Sequence, residues 1–374
     1  MENIPSNWHL NKNGTYDVEG DVNDVPQGCI YAGKLNIRFG RVTGDFCCRK
    51  LLLTTLEGCP EEVGGNFDCS FNQLSTLKGA PKTIGGDFNC KGNYLSSLAG
   101  APKNVGGSFF CDINQLKTLK GAPKTVGGGF YCSRNYLTSL TGAPTEVGGS
   151  FECWGNGLLS LRGVPNKVKG RFNCASNKLT TLKYAPKRVD GDFDCASNML
   201  TTLKGCSEIV KGGINCNTNR LTTLKGLPKE IGGSLECTQN RLTSLEGAPM
   251  VIGGDFDCSS NQLTSLEGLP ESIRGEFKCQ ANKLVVLKKV PRGATKINCY
   301  DNPLSTISIG ILQFLTTSNR FSDLIKQIRY IDWAGVSGSI YSYEQWIPKS
   351  SRIEHINMTP QQARELKALQ LSWV

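Results

Sequence analysis

The sequence predicts a β-solenoid: a chain wound into short coils that lay a parallel sheet along one face. Three observations predict it. The first is a strict period. Among 374 residues, Cys falls at 48, 69, 90, 111, 132, 153, 174, 195, 216, 237, 258 and 279, eleven consecutive steps of 21. Cys299 follows after a step of 20. The second is the company each Cys keeps. An apolar residue stands two places before it, from Phe46, Phe67 and Phe88 through Ile214 and Leu235 to Phe277 and Ile297. Asn stands three places after it, from Asn72 to Asn302, and only the first copy departs, with Leu51. The third is the remainder of the unit. Leu recurs at the fifth and eighth places after Cys, as in Leu74 and Leu77 or Leu263 and Leu266, and G-x-P and a Gly pair close the unit, as in Gly247, Pro249, Gly253 and Gly254.

Each element follows from its residues. F-x-C has period two, so both side chains point to one face of a short strand. Strands stacked one coil apart form a parallel sheet, with Phe, Cys and the two Leu filling the interior. The Asn turns inward where the strand ends, and its amide is expected to satisfy backbone groups of the turns in neighbouring coils. The Gly pair is expected to permit the tight return to the next strand. A unit of 21 residues leaves no room for a full helix, so the outer side should be turns with extended or 3₁₀ segments.

The whole unit, F-x-C-x-x-N-x-L-x-x-L-x-G-x-P-x-x-V-G-G-x, resembles the leucine-rich repeat, with Phe and Cys in the first two Leu places. The match covers about residues 45–307, or 13 repeats. Units of this Cys/Gly-Gly type, and the lead-in Phe39–Phe46 (F-G-R-V-T-G-D-F), are similar to leucine-rich repeat proteins of tailed bacteriophages. The resemblance implies a leucine-rich repeat solenoid whose open sheet face binds a protein, from the host or the virion, in the bacterial cytoplasm.

The ends break the period. Residues 1–44 alternate in short stretches (Thr15–Val18, Lys34–Phe39) between turn residues and predict an N-terminal β cap. Residues 308–374 predict a small α-rich cap: Ile309–Tyr330 has helical apolar spacing, and Thr359 with Pro360 would start a helix running to about Leu371. Met1–Leu10 lacks the basic and apolar regions of a secretory signal, and no apolar run approaches the roughly 18–20 residues that span a bilayer.

Little in the sequence points to catalysis, a metal or a cofactor. There are two His, His9 and His355. The 13 ladder cysteines read as a reduced core stack, because Cys packs as a small hydrophobe and a linear row offers no tetrahedral convergence. Cys29, Cys47, Cys59 and Cys206 lie off the ladder, and Cys47 should face outward as the thiol most open to reaction. Bacterial leucine-rich repeat effectors often carry a ubiquitin-ligase domain with a catalytic Cys, but no Cys follows Cys299. An effector enzyme in the C-terminal segment would have to rest on residues such as Glu354 and His355. The Asp192–Asp194 and Asp255–Asp257 pairs read as solvated charge. The Thr/Ser row after the first Leu (Thr54-Thr55, Ser75-Thr76, Thr180-Thr181) reads as exposed extended chain, with ice binding the remote alternative.

The candidate site is on the sheet face. The outward places flanking each interior Phe hold ten acids against three bases, in a chain of net charge +10. Such a face repels a phosphate backbone, so nucleic acid is unlikely there. Phe71, Phe110, Ile113, Tyr131, Arg134 and Trp154 gather in repeats two to six, with Tyr94 and Tyr136 nearby, and this aromatic-plus-Arg composition suits a protein-binding surface. Positive charge lies on the outer side. Lys78, Lys120, Arg162, Lys183, Lys204, Lys225 and Lys288 follow the second Leu, and Lys82, Lys103, Lys124, Lys187, Lys229 and Arg292 follow the Pro. That ridge is the alternative site, for nucleic acid.

Overall fold

The computed structural model describes residues 5–287 and 289–308, and the backbone of three further strands, Tyr330–Asp332, Tyr341–Ser342 and Asn357–Met358. The chain divides into two compact units, Met1–Leu200 with Lys204–Gly212, and Thr201–Leu203 with Gly213–Val374. Among the described residues, both are built mainly from the 21-residue coil. The first holds eight face strands, from Phe46–Cys47 and Phe67–Asp68 to Phe172–Asn173 and Phe193–Asp194. The second holds five, from Ile214–Asn215 to Lys296–Asn298. Pairing is parallel and keeps the repeat in register, so Phe88 lies between Phe67 and Phe109, and Phe256 lies between Leu235 and Phe277.

The interior is a set of ladders. Phe46 through Phe193 are fully buried, and successive rings of the first unit lie 5.0–6.0 Å apart. Each buried ring contributes about 1.5–3 kcal/mol, and ring pairs add roughly 0.5–1.5 kcal/mol. All 13 ladder cysteines are buried, as are both Leu of most coils. Burial pushes thiols of this ladder well above the ordinary range, as at Cys69 and Cys132. At Cys48 the hydrogen bond with Cys59 raises the thiol first, and burial second.

The Asn ladder performs the expected task. Asn93 Oδ1 accepts from the Leu74 amide at 3.0 Å, and Nδ2 donates to the Cys90 and Cys69 carbonyls at 3.0 and 3.1 Å. One side chain thus joins two coils at the end of the strand. Left bare, those buried backbone groups would cost about 1–3 kcal/mol each.

The glycines act differently from the expectation. The pair does not open a positive-φ return. A Cβ on Gly85 or Gly106 would run into the carbonyl oxygen of the paired glycine one coil earlier, so these residues are small because the coils touch there. Positive φ belongs to the glycine of G-x-P, as at Gly79 with φ +92. The outer side also holds more than turns. Residues just ahead of each Gly pair form two-residue parallel strands. In the first unit they run from Glu62–Val63 to Glu146–Val147, joined to Phe39–Val42. A new row starts at Lys167–Val168, where Lys169 replaces the first glycine of the pair.

At the N-terminus, Trp8–Leu10 and Tyr16–Val18 form an antiparallel hairpin, and Tyr16–Val18 runs parallel to Phe39–Val42. Trp8, Phe39 and Phe46 meet edge to face with centroids 5.0 Å apart, which covers the open end of the Phe stack. The helices expected over Ile309–Tyr330 and Thr359–Leu371 lie outside the described residues, except Tyr330. That residue belongs to a strand: Tyr330–Asp332 runs parallel to Thr306–Ser308, and Tyr341–Ser342 pairs with Asn357–Met358. Among the described residues of this segment there are strands and no helix.

Candidate protein-binding surface on the sheet face

The row ahead of each interior Phe has a structural duty that the sequence reading missed. Asp45 Oδ1 accepts the Asn66 amide at 2.6 Å, Asn66 Oδ1 accepts the Asp87 amide at 2.7 Å, and Asp87 Oδ1 accepts the Ser108 amide at 2.6 Å. Ser108 Oγ takes the Gly129 amide at 3.0 Å, and Ser150 Oγ takes the Arg171 amide at 3.0 Å. Each short acceptor holds the residue at its own position one coil later. The second unit repeats this at Ser234 and Asp255. These Asp are therefore fixed in place as well as charged.

Gly129 breaks that row, and the reason is visible. A Cβ there would stand 2.6 Å from Tyr131 Cε2 and 2.7 Å from the Tyr131 hydroxyl. The ring of Tyr131 folds back over the glycine. It stacks on Phe110 of the preceding coil with centroids 4.6 Å apart and planes 11° from parallel. Both rings are half-buried.

The second place after each Cys adopts left-handed backbone in coil after coil: Phe71 (φ 54), Ile113 (φ 54), Arg134 (φ 55), Ser176, Ser197, Thr218, Gln239 and Ser260. This kink ends the two-residue strand. It disfavours bulky and β-branched residues by about 1–2 kcal/mol. Gly92 and Gly155 occupy the same place, with φ 68 and 66. The Phe71 ring lies against Gly92, whose Cβ would meet Phe71 Cδ1 at 2.6 Å. Arg134 leans over Gly155 and places its guanidinium 5.8 Å from the Trp154 ring centroid.

The six residues read from the sequence thus resolve into three groups. Phe110 and Tyr131 form a stack, and Arg134 and Trp154 a cation–ring pair. Phe71 sits on Gly92 of the next coil, and Ile113 lies one coil beyond Gly92. Phe71 is 43% exposed, and Ile113 and Trp154 are each 37% exposed. Tyr94 and Tyr136 are exposed too.

Acids crowd this surface. Asp112 lies between Cys111 and Ile113, outside the two rows first considered, and its Oδ1 accepts the Ser133 amide at 2.9 Å. Burial raises its carboxyl, with Lys91 pulling the other way. Burial likewise raises Glu152, against Arg171. The Tyr131 phenol is raised first by burial, then by Glu152, Asp112 and Asp87. The bases of the face are already answered. Arg171 meets Asp194 at 2.6 Å, Lys278 lies 3.6 Å from Asp255 and 3.4 Å from Glu276, and Lys296 lies 3.3 Å from Glu276. This corrects the reading of the D-F-D pairs: Asp194 is buried under Arg171, and Asp255 is both a ladder acceptor and an ion-pair partner.

On the outer side, Lys78, Lys103, Lys120, Lys124, Arg162, Lys183 and Lys187 are exposed. Lys82 and Lys225 are each 2.7 Å from a Glu, Glu61 and Glu246. Lys183 stands over the Tyr184 ring at 5.1 Å, an aromatic beside the ridge that the row reading did not include. Lys288 lies outside the described residues, as do Glu354 and His355. The Thr/Ser row is a turn device: Thr76, Thr118 and Thr181 Oγ1 each accept the amide two residues on at 3.2 Å. Among the described residues no His, Cys, Asp or Glu cluster could hold a metal ion, and no helix is long and apolar enough to cross a membrane.

No protein-family model matches the chain, and no curated protein matches it. Solved structures do. The APL1 leucine-rich repeat domain matches with a TM-score of 0.51 at 16% identity, over 88% of this chain and 95% of that one. YopM, a leucine-rich effector protein from Yersinia pestis, matches with a TM-score of 0.49 at 19% identity, over 70% of this chain and 79% of that one. A leucine-rich repeat protein from Bacteroides eggerthii also reaches 0.49, at 13% identity over 73% and 56%. At these identities the likeness concerns the fold. The coil geometry and the APL1 match together define a leucine-rich repeat solenoid of about 13 turns, built on a 21-residue unit.

Proposed function

We propose that the chain is a non-catalytic protein-binding module, encoded by a tailed bacteriophage, which engages a host or virion protein through the sheet face of its second to sixth coils. One observation carries the reading. At Gly129 the repeat gives up a ladder acceptor so that a surface ring, Tyr131, can lie flat against the coil and stack on Phe110. The fold alone does not require the Tyr131 ring there, because the adjoining coils keep the acceptor at Ser108 and Ser150, and Gly213 lacks it with no ring over the glycine. A half-buried aromatic stack beside Ile113, Arg134 and Trp154 has the composition of an interface centre. The phage origin rests on the Cys/Gly-Gly unit and the Phe39–Phe46 lead-in, and it places the protein in the host cytoplasm or on the virion.

The test is capture from nuclease-treated bacterial lysate, comparing the native chain with a Phe110→Ala/Tyr131→Ala/Trp154→Ala variant shown to be folded by circular dichroism. A protein retained by the first and lost by the second supports the reading. Equal retention by both sinks it. If the retained material is removed by nuclease and falls steeply with salt, the exposed Lys ridge beside Tyr184 is the site instead.

A further inference from the structure

We infer that the partner presents a basic segment to this face: Lys or Arg side chains whose stems lie on the Phe110–Tyr131 stack and whose charged heads meet Asp87, Asp112 and Glu152. The inference rests on the protein-binding reading and specifies the chemistry of the partner. Three features converge on it. The stack is an apolar surface of two rings, held at 4.6 Å on adjacent coils and bedded on Gly129. A long basic side chain packs its methylene stem on such a surface and keeps its head near polar groups. The acids around the stack are held in place. Asp87 and Asp112 each anchor a backbone amide of the next coil, at 2.6 and 2.9 Å, so their second carboxylate oxygens are aimed at fixed positions. Lastly, the charge there is left for a partner to answer. The bases of the two outward rows, Arg171, Lys278 and Lys296, are paired with Asp194, Asp255 and Glu276. Arg171 and Lys91 act on Glu152 and Asp112 from a distance, and neither outweighs the burial that raises those carboxyls. Arg134, the exposed cation beside the cluster, stands over Trp154. Complementary charge sets partner choice and encounter rate, and a cation would relieve the crowding of partly buried carboxylates.

Amide substitutions test the charge without breaking the coil. Asn66 already does the work of Asp87 in the same row, accepting the next amide at 2.7 Å. Asn217 does the work of Asp112 at the corresponding place, accepting the Thr238 amide at 2.6 Å. An Asp87→Asn/Asp112→Asn/Glu152→Gln variant should therefore fold, with circular dichroism as the check. The probes are two blocked peptides of about ten residues, one alternating Arg and Leu, the other Glu and Leu. Each is long enough when extended to cross several coils spaced about 4.8 Å apart. The native chain should bind the Arg peptide, and the Glu peptide should fail to bind. Binding should weaken roughly tenfold or more in the amide variant and in Phe110→Ala/Tyr131→Ala. It should also weaken in salt of about 0.5 M, where exposed charges are screened within a few ångströms.

Failure of the native chain to bind the Arg peptide, equal binding by the amide variant, or equal binding of the Glu peptide overturns the inference. The lysate capture separates this from the broader reading. A protein lost by the aromatic variant but fully retained by the amide variant leaves a protein-binding surface standing and removes its basic partner. Full retention by the aromatic variant removes both.

Discussion

The second to sixth coils and the ninth to twelfth are the same coil inside and different coils outside. Their Cys and Asn ladders are the same, the Phe place holds Ile214 and Leu235 in the ninth and tenth coils, and both sets bend left-handed two places after Cys. At that bend the earlier coils carry Phe71, Gly92, Ile113, Arg134 and Gly155, and the later ones Thr218, Gln239, Ser260 and Ala281. Beside the interior Phe, the earlier coils place Phe110 and Tyr131 where the later ones place Asn215 and Asp257. Packing explains what the two sets share and says nothing for the difference. Large side chains at a strained bend, and a ring laid over Gly129 where Gly213 of the ninth coil has none, are departures that a purely structural coil has no reason to keep.

The largest expected effect tests the shared part. Phe130→Ala and Phe256→Ala should each destabilise by about 3–5 kcal/mol, the usual cost of emptying a buried aromatic site. Phe130 should cost slightly more, because it is flanked by two rings, Phe109 at 5.6 Å and Phe151 at 5.4 Å, whereas Phe256 pairs with Phe277 alone and has Leu235 on its other side. Denaturant midpoints of the two variants decide it. A near-neutral Phe256→Ala would mean that the later coils are not packed as the earlier ones are.

The next effect is a change of sign. Gly129→Ser restores the ladder acceptor but forces the Tyr131 ring aside, so alone it should destabilise by up to about 1 kcal/mol and disrupt the Phe110–Tyr131 stack, which near-ultraviolet circular dichroism would report as a changed aromatic signal. With Tyr131→Ala already present, the same serine meets no ring. It should then stabilise by about 0.5–1.5 kcal/mol through its new hydrogen bond. A double-mutant cycle with no coupling would show that Gly129 is not there for Tyr131.

Somewhat smaller is the bend itself. Ile113→Gly should stabilise the chain by up to about 1 kcal/mol, because glycine adopts φ 54 without the Cβ penalty and the lost side chain is 37% exposed. Its binding should fall at the same time. A stability gain with unchanged binding would leave Ile113 with no place in the interface.

These cases also show how far the residues could be read unaided. Period and composition disclosed the coil, its interior ladders and the face that would carry aromatics, because Phe46 to Phe277 and Asn72 to Asn302 repeat at one spacing. What they did not disclose runs between coils. Alternation shows that Asp45, Asn66, Asp87 and Ser108 point outward, but a period of two is blind to a sideways bond. The signal was their type: from Asp45 to Ser150 the row holds only Asp, Asn, Ser and Gly129, where a solvated row would also carry Lys, Glu and Gln. The left-handed bend had a signal as well, in Gly92 and Gly155. It was hidden because eleven other residues at that place, from Lys50 to Asp301, take the same conformation without being glycine. Asp112 was missed because its place seemed to lie past the strand, although the next coil holds it on the face.

The smallest expected effect concerns pH. Burial holds the Asp112 and Glu152 carboxyls above their ordinary range, so the folded chain binds these protons more tightly than the unfolded chain does. The cost of keeping both charged is therefore fully present at neutral pH. It is relieved as pH falls through the folded values, and it is gone below the unfolded values of about 4. Against Asp112→Asn/Glu152→Gln, the native chain should be the less stable at pH 7, and the gap should close towards pH 4. Denaturant midpoints of the two proteins across that range measure it. A gap that widens on acidification would mean the carboxylates are already stabilised by neighbours, and a cationic partner would then have little to relieve.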